Sequence, residues 1–93
     1  MAKCVVTIKI MPESPDTDIS AVQAIAESAI DKFTGERGEK RTAIEPIAFG
    51  LKALKITFVM DEALGSTEPL EQELAGIKGV NSVDVVDVRR AIG

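Results

Sequence analysis

The apolar residues change their spacing in the same order twice along the chain, and this succession constrains the fold more than any other feature. In residues 4–10 the side chains at every second position are apolar, which predicts a half-buried strand. Apolar residues then recur at spacings of three and four as far as Phe33, which predicts an amphipathic helix that ends at Gly35. This apolar stripe comprises Ile19, Val22, Ile25, Ala26, Ala29, Ile30 and Phe33, and the helix cap is Asp16, Thr17 or Asp18.

Two closely spaced strands follow, joined by a tight turn. The first covers about residues 42–48, and its Pro46 predicts an edge position because proline cannot donate a hydrogen bond to a neighbouring strand. A turn at Phe49-Gly50 leads into the third strand, in which apolar residues alternate as far as Met60. Because the two strands are so close in sequence, we predict that they form an antiparallel hairpin.

A second helix and a last strand complete the pattern. Thr67 and Pro69 mark the start of the helix and Gly79 ends it, and its apolar stripe is Leu70, Leu74 and Ile77. In the strand that follows, the step from Val85 to Val86 breaks the alternation. This break predicts either a bulge or burial of the strand on both faces.

The resulting order, β-α-β-β-α-β, is typical of the split-βαβ, ferredoxin-like sandwich. We therefore predict an α+β fold in which both helices cover one face of a four-stranded antiparallel sheet, with strand order 4-1-3-2. This order places the second strand at an edge, in agreement with the independent indication from Pro46. The length of 93 residues fits one domain, residues 1–93.

Charge and composition argue against several classes of function. The net charge of −4 disfavours a general nucleic-acid binder, which needs a basic face to neutralise phosphates. Histidine is absent and Cys4 is the only cysteine, so we expect no enzymatic activity, no metal site and no cofactor. The sequence has no signal-peptide pattern and no apolar run near the roughly 20 residues of a membrane span, so we expect a cytoplasmic protein that binds no membrane.

Phe49 and the pair Arg89–Arg90 are the candidate binding residues. Phe49 is a bulky apolar residue at a hairpin turn. Either it enters a pocket of a partner, since aromatic residues dominate interface hot spots, or it folds back over the open end of the sandwich. Arg89 and Arg90 emerge from the last strand near the C-terminus, where one of them reaches an anionic site of a partner or both belong to a solvated chain end.

A further basic group lies in the segment Gly35–Arg41, which we interpret as a charged, mobile loop. Its cations, Arg37, Lys40 and Arg41, are interspersed with glutamates, and its glycines lack the Gly-Lys-Ser/Thr ending of a phosphate-binding loop. We therefore expect no nucleotide site there. Cys4 has the inward-facing register of the first strand, which predicts a small buried side chain and not a nucleophile.

The hairpin carries a distinctive motif, Ile47-Ala-Phe-Gly-Leu-Lys-Ala-Leu-Lys55. Three further stretches accompany it in a definite order: Ile44-Glu-Pro46, the loop Asp61–Gly65 with an acidic helix after it, and Val80-Asn-Ser-Val-Asp-Val85. Together these stretches resemble the exchange domain of translation elongation factor one-beta, in its stand-alone archaeal form. The resemblance covers essentially the whole chain.

The resemblance implies a ferredoxin-like domain that binds the GTPase elongation factor one-alpha, in its GDP-bound and nucleotide-free forms, and releases its GDP. It implies that Phe49 inserts between elements of the GTPase and that Arg90 disturbs the site that holds magnesium and the phosphates. Eukaryotic members have lysine where this chain has Arg90. We therefore expect the partner-binding residues to be Phe49, Gly50, Lys52, Arg89 and Arg90.

A different class of function fits the same fold pattern. This architecture hosts many unrelated activities, and some ferredoxin-like modules dimerise and sense small metabolites. That alternative predicts self-association and thermal stabilisation by a metabolite, without any effect on a GTPase. A metal carrier of this fold is disfavoured because the sequence has no Cys-x-x-Cys motif.

Overall fold

The computed structural model describes residues 3–35 and 38–91. Within these ranges the chain forms four strands and two α-helices in the order β-α-β-β-α-β. The strands are β1 (Lys3–Pro12), β2 (Lys40–Pro46), β3 (Lys52–Asp61) and β4 (Val80–Ala91), and the helices are α1 (Ile19–Thr34) and α2 (Glu68–Ala75). Short 3₁₀ turns occupy Ala48–Gly50 and Glu62–Leu64. Among the described residues, neither helix is long and apolar enough to cross a membrane.

The strands form one sheet in the order β2-β3-β1-β4, and every neighbouring pair is antiparallel. This is the predicted order 4-1-3-2 viewed from the opposite edge, so the ferredoxin-like α+β fold is confirmed. β2 lies at an edge as Pro46 indicated, and Pro46 pairs with Lys52 at the last position of the ladder. At that position a missing N–H donor costs little, because the ladder ends there.

The core lies between the sheet and the two helices. The central strands β1 and β3 bury every second side chain against the helices, as the alternation predicted: Val6, Ile8, Ile10, Leu54, Ile56, Phe58 and Met60. The helices contribute Val22, Ala26, Ala29, Ile30, Leu70 and Leu74. Cys4 is half-buried and packs against this cluster, which agrees with its predicted inward register.

Helix α1 begins and ends where the sequence predicted. Asp18 is the cap, and its Oδ1 accepts a hydrogen bond from the Ala21 N–H at 3.2 Å. Gly35 ends the helix in the left-handed conformation, with φ 79°. Ile25 was wrongly assigned to the buried stripe, since its side chain is 53% exposed. It lies at the flank of the stripe, and the small Ala26 and Ala29 occupy the centre instead.

The boundaries of β2 and α2 differ from the predicted ones. β2 begins at Lys40, two positions before the predicted start at 42, because the ladder with β3 already includes the pair of Lys40 with Phe58. Lys40 and Arg41 therefore belong to a strand and not to the predicted loop, and the Lys40 ammonium pairs with Asp31 of α1. Arg37, the remaining cation of that segment, lies outside the described residues.

Helix α2 ends at Ala75 and not at the predicted Gly79. The Gly76 N–H donates to the carbonyl oxygens of Gln72 and Glu73, both at 3.2 Å, and this bonding closes the helix. Ile77 is buried as predicted, but it lies in the turn that leads to β4. The apolar spacing continued past the helix because this turn also packs on the core.

The break in β4 is a β-bulge. Thr7 of β1 pairs with Asp87 and the next residue, Ile8, pairs with Val85, so Val86 is the extra residue. Val86 is 48% exposed, so the alternative of burial on both faces is wrong. A continuous ladder would instead turn Asp87 towards the core, and burying an unpaired carboxylate is costly.

Candidate partner-binding site

The turn between β2 and β3 presents Phe49 in a strained conformation. The Ile47 N–H donates to the Leu51 carbonyl oxygen at 2.7 Å, and the Leu51 N–H donates to that of Ala48 at 3.2 Å. Between these bonds Phe49 has φ 61° and ψ 31°, and Gly50 has φ 77°. Glycine adopts this left-handed region freely, whereas a residue with a Cβ loses about 1–2 kcal/mol there.

The Phe49 side chain extends into solvent. It is 92% exposed, although its ring is among the largest apolar side chains in the protein. The alternative that Phe49 folds back over the open end of the sandwich is therefore wrong. Its role in binding a partner stays a prediction.

Gly50 and Lys52 lie at the same end of the sheet as Phe49. A Cβ built on Gly50 would lie 3.8 Å from the Pro15 Cβ, so the turn packs beside the loop between β1 and α1. Lys52 is exposed at the start of β3. Hairpin, loop and the start of α1 enclose a groove of about 350 Å³, which Gly50, Lys52 and Pro15 help to line. We call Phe49, Gly50, Lys52 and Pro15 the hairpin end.

Arg89 and Arg90 lie on opposite faces of the sheet. Arg90 pairs with Cys4, whose side chain lies on the face that the helices cover, and Arg89 pairs with Val5 on the other face. Successive residues of a strand always alternate in this way. Residue type alone does not distinguish the two arginines, but their surroundings differ. The Arg89 Nε lies 3.0 Å from the Asp87 Oδ2 on the uncovered face.

Arg90 is held by Glu62 through two hydrogen bonds. Its Nε donates to Oε2 at 3.0 Å, and its Nη2 donates to Oε1 at 2.5 Å. The hydrogen bond from Arg90 holds the pKa of the Glu62 carboxyl below its usual value, and the same bond raises the pKa of Arg90. Both groups are therefore charged at neutral pH. We call Arg90 and Glu62 the arginine end.

The two ends are far apart. Lys52 and Asp61 are the first and last residues of β3, which corresponds to roughly 30 Å at the usual rise of about 3.3 Å per strand residue. The molecule as a whole is elongated, with extents of 42 × 21 × 19 Å. The structure thus brings Phe49, Gly50 and Lys52 together and separates them from both arginines.

Sequence reasoning missed Glu62. The signal that could have found it is the strand order, because the ends of β3 and β4 flank the start of β1. Lys3 pairs with Asp61 on one side and with Ala91 on the other. A carboxylate just after Asp61 is therefore within reach of a cation just before Ala91. Among the described residues, no group of three or more Cys, Asp and Glu side chains is arranged to hold a metal ion.

These features define a small ferredoxin-like α+β protein with an exposed aromatic residue at one end of its sheet and an oriented guanidinium group at the other. The sequence matches the family described as the EF-1 guanine nucleotide exchange domain over residues 5–91, and the chain belongs to that family.

The chain is similar to several archaeal proteins named elongation factor 1-beta. It is 43% identical over 90 residues to that of Methanosphaera stadtmanae and 44% identical over 90 residues to that of Methanothermobacter thermautotrophicus. Each alignment covers 97% of this chain and 98% of the relative. The protein from Methanosarcina barkeri is 45% identical over 83 residues, which are 89% of this chain and 91% of the relative.

Among solved structures, BlrP1 BLUF is similar with a TM-score of 0.53 and 13% sequence identity. The match covers 98% of this chain and 56% of that one. At this identity the likeness concerns the fold alone.

Proposed function

We propose that this protein is a guanine-nucleotide exchange factor, which promotes the release of GDP from the GTPase elongation factor one-alpha during translation elongation. The observation that carries the proposal is the family match over residues 5–91. The factor acts by protein–protein contact and has no catalytic turnover of its own. Residues 1–93 act as one exchange domain in the cytoplasm, without a cofactor, nucleic acid or membrane.

The mechanism is thermodynamic linkage. A factor that binds the nucleotide-free GTPase more tightly than the GDP-bound form must weaken GDP binding by the same ratio. Each tenfold loss of nucleotide affinity requires about 1.4 kcal/mol of differential binding. The factor therefore needs contacts that are favourable only in the nucleotide-free conformation.

Phe49 supplies the apolar contact. Its ring is exposed in the free protein, so binding can desolvate nearly all of its surface. The turn fixes the backbone and hence the direction of the Phe49 Cα–Cβ bond, so only the side-chain torsions lose freedom when the ring enters a pocket. A buried aromatic anchor contributes about 2 kcal/mol or more at a hot spot, which is one or two factors of ten in nucleotide affinity. Gly50 and Lys52 border this contact.

Arg90 supplies the charged contact. A guanidinium group placed near the magnesium site would displace or disorder the metal ion that neutralises the phosphates, which would weaken the hold on GDP. Arg90 is assigned this contact because it is the residue that the family resemblance implies, and Arg89 lies on the other face of the sheet. Since the hairpin end and the arginine end lie roughly 30 Å apart along β3, the proposed mechanism requires the GTPase to contact the factor at two separate points.

The test is the release of a fluorescent GDP analogue from elongation factor one-alpha, with and without this protein. Wild type should accelerate release, and Phe49→Ala and Arg90→Ala should each reduce the acceleration by about tenfold or more. Arg89→Ala is the matched control, because it removes the same charge from the adjacent residue on the other face. It should change the rate less than about threefold.

Other results separate the function from the assignment of its residues. Acceleration that survives both Phe49→Ala and Arg90→Ala would support exchange and contradict the proposed contacts. A folded wild-type protein that has no effect at micromolar concentration would contradict the exchange function and favour the ligand-sensing alternative.

A further inference from the structure

We propose that Glu62 is a positioning residue, which holds the Arg90 guanidinium by one edge and leaves its other edge directed at an anionic group of the partner. The inference rests on the proposed exchange function and deepens it. It assigns a role to a residue of the turn after β3, and it specifies the geometry of the anion that the arginine end accepts.

Arg90 has more N–H donors than Glu62 occupies. A guanidinium group has five N–H donors in a planar fork. Glu62 occupies the edge formed by Nε and Nη2, with one carboxylate oxygen on each nitrogen. The opposite edge, formed by Nη1 and the second N–H of Nη2, is itself a two-pronged fork. Such an edge matches a second carboxylate or a phosphate, so Arg90 can bind Glu62 and a partner at the same time.

Glu62 is suited to this role because its own backbone is fixed. The Asp61 Oδ1 accepts a hydrogen bond from the Ala63 N–H at 2.9 Å, and the Gly65 N–H donates to the Glu62 carbonyl oxygen at 3.1 Å. Gly65 permits the turn, since it has φ 73° and ψ −121°, a conformation that residues with a Cβ rarely adopt. The carboxylate is thus presented by an ordered turn and not by a flexible loop.

Arg90 needs such a partner because of its place in the fold. It is exposed and lies at the end of an edge strand, where a free arginine side chain samples many rotamers. Fixing those rotamers opposes binding each time the partner is engaged. The two hydrogen bonds to Glu62 restrict the side chain before the partner arrives, so less freedom is lost on binding.

Glu62 also has an opposing effect, since its negative charge offsets that of Arg90. Both side chains are exposed, so solvent and salt screen this mutual attraction. The orienting effect acts over the direct hydrogen bonds of the pair, whereas the charge of Glu62 acts on the partner's anion over a longer distance, where salt screens it more. We therefore expect the orientation of Arg90 to outweigh the loss of net positive charge.

The test compares Glu62→Gln with wild type in the GDP-release assay. Glutamine keeps the size of the side chain and loses the charge and one of the two acceptors. The variant should stimulate release about 3- to 10-fold less than wild type, because the Arg90 side chain then loses its rotamer freedom only when the partner binds. Glu73→Gln is the matched control, since Glu73 is an exposed carboxylate on α2, and it should match wild type.

Two readouts distinguish positioning from a general effect of the substitution. Lysine cannot form the two-pronged contact, so Glu62→Gln should change the rate less than about twofold in an Arg90→Lys background. In the free protein, the Arg90 Nε–H signal in ¹⁵N NMR should show greater mobility in Glu62→Gln than in wild type.

The outcomes are separable from those of the proposed function. Wild type without any stimulation would contradict the exchange function, and the NMR comparison would still test the positioning. If Glu62→Gln stimulates release as well as or better than wild type, the positioning role is wrong. An Arg90 Nε–H signal of equal mobility in both proteins would contradict it as well.

Discussion

Phe49 combines two features that are unfavourable for the free protein. Its backbone is in the left-handed region and its ring is 92% exposed, so it has both conformational strain and unburied apolar surface. Strain of this kind persists at positions where function requires it. We therefore expect that a substitution of Phe49 which relieves the strain raises stability and lowers exchange activity.

Phe49→Asn should stabilise the protein and abolish most of its exchange activity. Asparagine tolerates the left-handed conformation, so relief of the strain should raise the free energy of unfolding by about 1 kcal/mol. For a protein of this size, that corresponds to an increase in Tm of about 4–8 °C, measured by thermal denaturation. Phe49→Ala is the control, because alanine keeps the strain: it should lose activity without gaining stability. A lower Tm for Phe49→Asn would contradict the account.

At the scale of the elements, the bulge in β4 sets the faces of the two arginines. Beyond Val86 the ladder resumes with Val88 opposite Val6, which directs Arg90 to the helix-covered face and towards Glu62. A shift of one residue in a strand moves every later side chain to the other face. Which of the two arginines lies near Glu62 therefore depends on the register of β4, since both residues are of the same type.

Insertion of one alanine between Val88 and Arg89 should exchange the roles of the arginines. Arg89 would then lie opposite Cys4, within reach of Glu62, and Arg90 would turn to the uncovered face. In this background Arg89→Ala should reduce the stimulation of GDP release by about tenfold, and Arg90→Ala should have little effect. If Arg90 remains the sensitive position after the insertion, register does not determine which arginine acts.

The elements also show how far the sequence determines the fold. Alternation and helical spacing predicted β1, α1, β3 and the strand order, because in those segments the burial of apolar side chains decides the structure. The predicted start of β2 was wrong because Lys40 is charged, so no apolar alternation marks it as part of the strand. Its ion pair with Asp31 of α1 cannot be read from the local sequence. The predicted end of α2 was wrong because Ile77 continues the apolar spacing of the helix but lies in a turn, which also packs on the core.

The sequence was enough to single out candidate residues, but not to show how they are arranged in space. Phe49 could be singled out because an aromatic residue before a turn glycine is unusual in a sequence with so few aromatic residues. Glu62 was missed because no local motif marks it: its place near Arg90 follows only when the predicted strand order is used to find which strand ends are neighbours. The separation of the two ends likewise follows from strand directions and not from any local motif.

As a whole molecule, the proposed factor is elongated and contacts its partner at each end. The hairpin end presents an apolar ring, and the arginine end presents a cation on an ordered turn. These contacts share no residue and are roughly 30 Å apart along β3, so their contributions should be independent.

The most direct test of this central claim is a double-mutant cycle on the release of a fluorescent GDP analogue from elongation factor one-alpha. It compares wild type with Phe49→Ala, Arg90→Ala and the double variant. The account predicts that wild type accelerates release, that each single variant loses about tenfold or more, and that the two losses multiply to within about twofold. A wild-type protein that does not accelerate release, or a double variant no weaker than either single one, would contradict it.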